Sequence, residues 1–546
     1  MSRRIKWIYL VVLSVAAVSF GAQRRCGTAD AIRRFYSKEP MSPPDLPFYF
    51  DTEHFRIWYD TAGYNQVFPG DADSNGIPDY VDSTGIYLEN VWHILIDSVG
   101  YRQPLPDTLW AGDSVDFGGD PRVDVYLANT GAGFFGETVP RVANSDGVSL
   151  KATAYLEIQS DMRRISDEVT DPYPLLKVTC AHEFFHAVQF AYRFPELSEY
   201  SYFVWWMEAS AVFDEEFCYD EVNDYYNYLP SFQEAPEVPL FTANYNGSIE
   251  YGAVLFPIFV EEYFAPEGVR FTGQCIKRIW ELCETEPPVE AVRLFAEEKG
   301  SSLEELYGIF SNWRFRTADQ WTPGYFAEGQ NYPLPACDSV DLSEDNFWGD
   351  VSLPPLATHY FVVPYAAESY GILARLSNWT DYAAAGLGVA TVGFIPDDPV
   401  DSFWVCSAGE CVGVPGIWQY RAVGFFPLVY SAPSQASLSI SIAKSESLSV
   451  PVNAQNEFFP PYPNPACGLP ITFSADVRSP GEFVVMVFSS NGQVVWEHRI
   501  EIDLPQRVSV EWDCRNKGGK KVAPGVYIYK IFLSGEKFSG RIFICD

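Results

Sequence analysis

Thr179-Cys180-Ala181-His182-Glu183-Phe184-Phe185-His186-Ala187-Val188-Gln189-Phe190 sets two imidazoles four residues apart, with a carboxylate beside the first. No Gly or Pro interrupts residues 175–192, so the stretch predicts a helix. Side chains at i and i+4 share one helical face, and His182 and His186 can therefore direct ring nitrogens at one ion. Neutral imidazole suits zinc, and Glu183, one step round the helix, would stand beside an open coordination position as a base for water. The plainer reading is two surface histidines on an amphipathic helix. It has little room in a chain with only 6 histidines.

A catalytic zinc takes three protein ligands, so a third should lie nearby. Residues 202–216 read as a second helix, in which Glu208 follows Trp205-Trp206 and precedes Ala209 and Ala211. A carboxylate in such apolar company is costly to bury without a partner, and the small residues let two helices approach closely. A solvated helix glutamate is the alternative. Glu215, seven residues on and near the same face, is placed to orient a histidine from behind.

His182-Glu183-x-x-His186 followed by Trp205-Trp206-Met207-Glu208-Ala209-Ser210-Ala211 resembles the gluzincin metallopeptidases, whose third zinc ligand is a Glu on a following helix. Aminopeptidases of that clan write the second motif W-x-N-E-G-x-A, where Met207 and Ala209 stand here for Asn and Gly. The chain is more closely similar to a group of secreted bacterial metalloproteases that combine H-E-[FY]-F-H-A-x-Q, an upstream Asp/Asn-Gly-x-Pro-Asp segment and a C-terminal sorting domain. The fold class expected is multidomain α+β: a zincin-like catalytic domain of mixed sheet plus helices over residues 22–330, then two all-β sandwich domains. Related zincins place a Tyr or His after the third ligand to polarise the substrate carbonyl. Tyr251, beside Gly252, is the candidate by that resemblance, although 33 tyrosines make a core or surface role a strong competitor.

At 546 residues the chain exceeds one core and should divide into three or four domains. Its net charge of −35 disfavours nucleic acid or an anionic membrane as partner and suits an extracellular protein that binds calcium. Residues 1–21 read as a secretory signal: Arg3, Arg4 and Lys6 precede an apolar run too short for a confident span. Localisation is therefore expected to be secreted or cell-surface. In Cys26 no lipoprotein signal is read, because Gln23-Arg24-Arg25 intervenes. Export makes 11 cysteines readable as disulfides, with Cys275/Cys283 and Cys406/Cys411 close enough to close small loops, and the odd count leaves at least one thiol over. Cys180 reads as a buried hydrophobe.

A second motif, Asp71-Ala72-Asp73-Ser74-Asn75-Gly76-Ile77-Pro78-Asp79-Tyr80-Val81-Asp82, offers oxygens from Asp71, Asp73, Asn75, Asp79 and Asp82 and the Ile77 carbonyl, with Gly76 at the sharp turn. That is the pattern of a calcium loop. Asp82 stands where an EF-hand carries Glu, and Pro78 argues against a conventional helix entering there, so an isolated calcium-stapled loop is expected. The alternative is an Asx-rich turn.

Strands are expected at residues 48–50, 54–59, 123–127 and 154–158, with a helix over 83–99. Residues 130–136, rich in Gly, lack the Lys of a phosphate loop and read as a turn near the cleft edge. Past Glu216, helices are expected at 251–264, 269–283, 288–299 and 302–315. Pro-rich turns and alternating runs predict a β-sandwich over 331–445, a polar linker at 446–457, and a small antiparallel sandwich over 458–546. The last resembles the type IX secretion sorting domain and the Ig-like module of flagellar hook-capping proteins, which implies the outer-membrane secretion machinery as a partner. Cys514 after Trp512-Asp513 and the ending Ile544-Cys545-Asp546 depart from that pattern.

The function these readings imply is a secreted zinc-dependent metalloendopeptidase acting on polypeptide substrates, with Glu183 as general base. The rival is a calcium-dependent adhesion or scaffold protein with an inert or structural zinc. A closed zinc site needs a fourth protein ligand, and neither Cys180 nor Cys218 is convincing in that place. A third reading is a zinc hydrolase acting on an amide outside proteins, such as a cell-wall peptide.

Overall fold

A computed structural model describes residues 26–39, 41–110, 119–131, 134–243, 249–380, 383–394, 401–432, 434–449, 456–477, 481–502, 506–533 and 535–545. The expected export signal, residues 1–21, lies outside them, as do residues 132–133 of the Gly-rich turn and 450–455 of the expected linker. The chain divides into two compact units, Met1–Asp319 with Phe326–Ala336, and Gln320–Tyr325 with Cys337–Asp546. The architecture is multidomain α+β, with helices confined to the first unit apart from single 3-10 turns among the described residues.

The first unit is built on a five-stranded sheet of β1 (Phe48–Asp51), β2 (Phe55–Tyr59), β3 (Val123–Ala128), β4 (Gly136–Ser145) and β5 (Leu150–Gln159), in the order β1-β2-β3-β5-β4. β2, β3 and β5 run parallel, and β1 and β4 are antiparallel to their neighbours. β3 is buried at every residue, as befits a strand covered on both faces. Strand β4, the edge, was not expected. Its Pro140, Arg141 and Asn144 spoil the alternation that marks a strand, and pairing with β5 overrides that local preference.

Helices α1 (Thr28–Ser37), α2 (Asp79–Trp92), α3 (Tyr173–Tyr192) and α4 (Tyr200–Cys218) pack on this sheet or on one another. Every residue of α3 from Val178 to Tyr192 is buried, which is what an all-round apolar helix requires. α2 begins four residues before the expected start, with Pro78 as its N-cap at φ −59°. Pro78 therefore opens this helix. A missing N–H costs nothing in a first turn that has no acceptor for it. A π-helical turn, His93–Val99, continues α2.

Short helices α5 (Leu229–Gln233) and α6 (Ile249–Gly252) lead to α7 (Leu255–Phe264), α8 (Gln274–Leu282), α9 (Pro288–Glu298) and α10 (Leu303–Phe315). The single helix expected over 251–264 is thus two, broken after Gly252. Gly252 packs so closely on Tyr228 and Phe232 that a Cβ would lie 2.4 Å from Phe232 Cβ. Helix α8 starts five residues later than expected, because Gly273 at φ 71° caps it. Cys275 and Cys283 lie at opposite ends of α8, eight residues and about 12 Å of helix apart. No disulfide spans that distance, and both thiols are free and buried. Cys406 and Cys411 are also free.

In the second unit, a four-stranded and a six-stranded antiparallel-rich pair of sheets share one core, in which Ile372, Leu376 and Ile440 of one sheet meet Val389 and Phe425 of the other. A three-stranded and a five-stranded sheet share a second core around Trp512, Phe473, Val485 and Ile531. In the five-stranded sheet Ala466–Cys467 pairs parallel with Glu536–Cys545, and a Cys467–Cys545 disulfide ties the two strands across 78 residues. Of the expected linker, Glu446–Leu448 forms a 3-10 turn and Glu457 already belongs to a strand. Among the described residues no helix is long and apolar enough to cross a membrane.

Closing a loop of this length by a disulfide contributes about 2–4 kcal/mol, largely by restricting the unfolded chain. Cys545→Ser should therefore move the urea midpoint of the last sandwich downward, followed by the fluorescence of buried Trp512. An unchanged midpoint would exclude the bond.

Candidate metal centre

Helices α3 and α4 lie side by side, and the groups singled out in the sequence meet between them. His182 Nε2 is 3.1 Å from His186 Nε2 and 3.3 Å from Glu208 Oε2, and His186 Nε2 is 3.6 Å from the same oxygen. The other side of each ring is fixed. Glu215 Oε1 lies 2.7 Å from His182 Nδ1, and Gln189 Oε1 lies 2.8 Å from His186 Nδ1. Gln189 is oriented in turn, its Nε2 donating to Met207 O at 2.9 Å. Both acceptors require Nδ1–H, so in the neutral rings both Nε2 atoms are bare lone pairs aimed at each other and at a carboxylate.

Three lone-pair atoms converging in this way repel unless a positive charge, a proton or a metal ion, sits among them. Glu208 Oε2 is buried and accepts no hydrogen bond. Burial alone would lower the pKa of both imidazoles, yet the sulfur of Cys26 and the carboxylates outweigh it, raising His182 well above its usual range and His186 to about 10. Burial would raise Glu208, but the facing His186 and His182 rings hold it down to about 2. The pocket calls for positive charge. Ligands on a tetrahedral zinc lie roughly 3.3–3.7 Å apart, given bonds of about 2.0–2.3 Å. The two nitrogen–oxygen separations, 3.3 and 3.6 Å, fall in that range, and the 3.1 Å nitrogen–nitrogen separation is shorter.

The fourth group was missed in the sequence. Cys26, immediately before α1, places Sγ in the same cluster, where one donor atom each from Cys26, His182, His186 and Glu208 all lie within 4.8 Å of one another. Neither Cys180, buried with its thiol pushed far upward by burial, nor Cys218 takes that place. The available signal was the odd cysteine count in a chain read as exported.

Glu183 sits beside this cluster, and its Oε2 receives Thr28 Oγ1 at 3.1 Å and Thr138 Oγ1 at 2.9 Å. Gly136 makes this possible: a Cβ there would lie 2.8 Å from Glu183 Cγ. Tyr251, the candidate carbonyl polariser, is buried with its ring 5.8 Å from that of His182, and its Oη accepts the Cys26 amide at 2.9 Å. His182, Glu183, Thr179, Phe135, Tyr228 and Tyr251 line one cleft together with Cys26.

The chain matches no family model and no curated protein. Among solved structures it is similar, over part of its length, to PorZ of Porphyromonas gingivalis, an essential bacterial surface component of the type-IX secretion system (15% identity, 22% of this chain and 15% of that one, TM-score 0.13). It is similar also to dimeric latent PorU of the same organism (12% identity, 39% and 19%, TM-score 0.15) and to a β-glucuronidase of Ruminococcus gnavus (11% identity, 38% of each, TM-score 0.11). The chain thus spans 15% to 38% of the lengths of these proteins. Overlap this slight says nothing of the metal centre.

At the second motif, carboxylate oxygens of Asp71, Asp73 and Asp79 lie within 4.8 Å of one another. The loop is wound around them: Asp71 accepts the amides of Asn75 and Gly76, Asp79 accepts that of Ala72, and Asn75 Nδ2 reaches Asp73 and Asp82. Gly76 has φ 88° and Ser74 φ 60°. Asp71, Asp73, Asn75, Asp79 and Asp82 are therefore neighbours as expected. The amide of Ile77 donates to Asn75 Oδ1 at 2.7 Å, which leaves its carbonyl unconstrained by that bond.

Removing the group that orients a ligand histidine typically weakens metal affinity 10- to 100-fold. Glu215→Ala should lower zinc affinity by about that factor in chelator competition while the far-ultraviolet circular dichroism is unchanged; undiminished affinity would contradict the orienting role. Asp73→Asn with Asp79→Asn should abolish any gain in protease resistance on adding calcium, with zinc content unaltered. Equal resistance of the two proteins would speak against calcium at this loop.

Proposed function

We propose that the chain is a secreted zinc-dependent metalloendopeptidase of the gluzincin kind, with a zincin-like catalytic domain in its first unit. The observation that supports this best is the convergence of two bare Nε2 atoms and an unpartnered buried carboxylate oxygen, with a second carboxylate, Glu183, beside them. His182, His186 and Glu208 would hold the ion. When bound, zinc supplies Lewis acidity toward a carbonyl and acidifies water at neutral pH. Glu183 Oε2 accepts the proton of the attacking water and returns it to the leaving nitrogen. Tyr251 Oη, which accepts the Cys26 amide with a lone pair and keeps its own proton, donates a hydrogen bond to the carbonyl oxygen of the bound peptide. Substrates are polypeptides: the start of edge strand β4, paired with Cys26-Gly27 in the structure, accepts an extended chain once that segment is displaced. Calcium at residues 71–82 staples the loop before α2. Export through an N-terminal signal and sorting through residues 458–546 complete the reading.

One observation favours the rival, a protein with an inert zinc. Cys26 completes four protein ligands, and structural zinc sites are closed in this way. Hydrolysis separates the two. Glu183→Gln should keep one zinc per chain and lose cleavage of an unstructured polypeptide such as labelled casein, whereas His186→Ala should lose both. Zinc kept at full occupancy in His186→Ala would refute the ligand set, and full cleavage by Glu183→Gln would refute the base.

A further inference from the structure

The segment before β1 occupies the cleft in a manner that goes beyond supplying one sulfur. Cys26 forms a parallel bridge with Gly136 at the start of edge strand β4, and the Gly27 amide donates to Gly136 O at 2.9 Å. A Cβ on Gly27 would lie 2.6 Å from Glu137 Oε2, so only glycine fits this approach. Thr28 Oγ1 receives the Thr138 amide at 2.7 Å and donates to Glu183 Oε2. The Cys26 amide is spent on Tyr251 Oη. Behind these contacts α1 buries Ala29, Ala31 and Ile32, pairs Arg34 with Glu137 on β4, and accepts Tyr200 Oη at Ala29 O, 2.8 Å away. Each part of the proposed machinery is thus contacted by one short stretch: the metal ligands by Cys26, the base by Thr28, the acceptor side of the Tyr251 hydroxyl by the Cys26 amide, and the strand edge by Cys26-Gly27.

We infer that residues 26–37 are a latency plug, with Cys26 Sγ as the fourth zinc ligand, and that the enzyme is switched on when this segment leaves the cleft. The inference rests on the zinc reading above and adds its regulation. The route of release is in the sequence that follows: Ser37, Lys38, Glu39, Ser42 and Asp45 are exposed, between α1 and β1. Exposed connections of this kind are where proteases cut. After a cut, the plug is held by the sulfur–metal bond and by the contacts of Gly27, Thr28 and α1, no longer by the chain. On release that bond breaks, the sulfur takes a proton from solvent, and water enters the position it leaves.

The test uses the full-length protein loaded with cobalt in place of zinc, and a version with a specific protease site introduced between residues 38 and 45. A thiolate on cobalt gives a near-ultraviolet charge-transfer band. The band should be present in the uncut protein, absent in Cys26→Ser, and retained in Cys411→Ser, whose thiol is exposed and remote in sequence. With zinc, Cys26 should resist alkylation, read by peptide mass spectrometry, and become reactive on chelation or after the cut. Casein cleavage should then rise about tenfold or more, as activity scales with the unplugged fraction. Metal bound without the band, or a band that survives Cys26→Ser, would overturn Cys26 as ligand and leave the zinc reading standing. A band that vanishes on cutting with no gain in cleavage would overturn latency in favour of a closed structural site. Failure of the full-length protein to bind either metal would sink the zinc reading itself.

Discussion

Two imidazole nitrogens and one carboxylate oxygen, buried and held within 3.1–3.6 Å of one another, form a repulsive arrangement that only a positive charge relieves. Much of the first unit serves to hold it. His182 and His186 are kept on one face by a helix buried almost end to end, and Glu208 is presented by a second buried helix, to which Gln189 of the first hydrogen-bonds at Met207 O and Ser210 Oγ. Glu215 and Gln189 fix both ring tautomers from behind. Desolvation makes the bare cluster costly, because a low dielectric strengthens the repulsion among its lone pairs as it would strengthen their attraction to a cation.

The cleft that His182 and Glu183 line is also lined by Phe135, next to the start of β4, and by Cys26. Strand β4 supplies Thr138 to Glu183 and offers its own outer hydrogen bonds. In the structure those bonds are taken by Cys26-Gly27, and the sulfur of Cys26 stands fourth among the donor atoms. On the proposed reading, a catalytic centre and a sealed one differ by the twelve residues 26–37. Peptidase and inert zinc protein are, on that reading, distinguished by whether that short segment, with the sulfur it adds to the cluster, stays.

The β-rich remainder obeys a different logic. Each sandwich has its own core, the first around Ile372, Val389, Phe425 and Ile440, the second around Phe473, Val485, Trp512 and Ile531. No buried ionisable cluster comparable to that of the first unit occurs among the described residues there. These are modules whose stability comes from apolar alternation and, in the last, a disulfide.

Local periodicity settled a good deal. The four-residue spacing of His182 and His186, the apolar run around Glu208, the Asx-rich order of residues 71–82 and the alternation of the C-terminal strands were all legible, because each is an interaction between residues close in the chain. What needed the folded molecule were contacts without a local period. Strand β4 carries Pro140 and charged residues and exists because β5 pairs with it. The helix break after Gly252 comes from packing on Tyr228 and Phe232, and Pro78 proved a helix start because its neighbours could do without its amide. Cys26 lies more than 150 residues from the histidines it joins, in a stretch with no motif of its own. Its role is set by a parallel bridge to Gly136 and by the depth of the cleft, both of which arise only when distant segments are brought together.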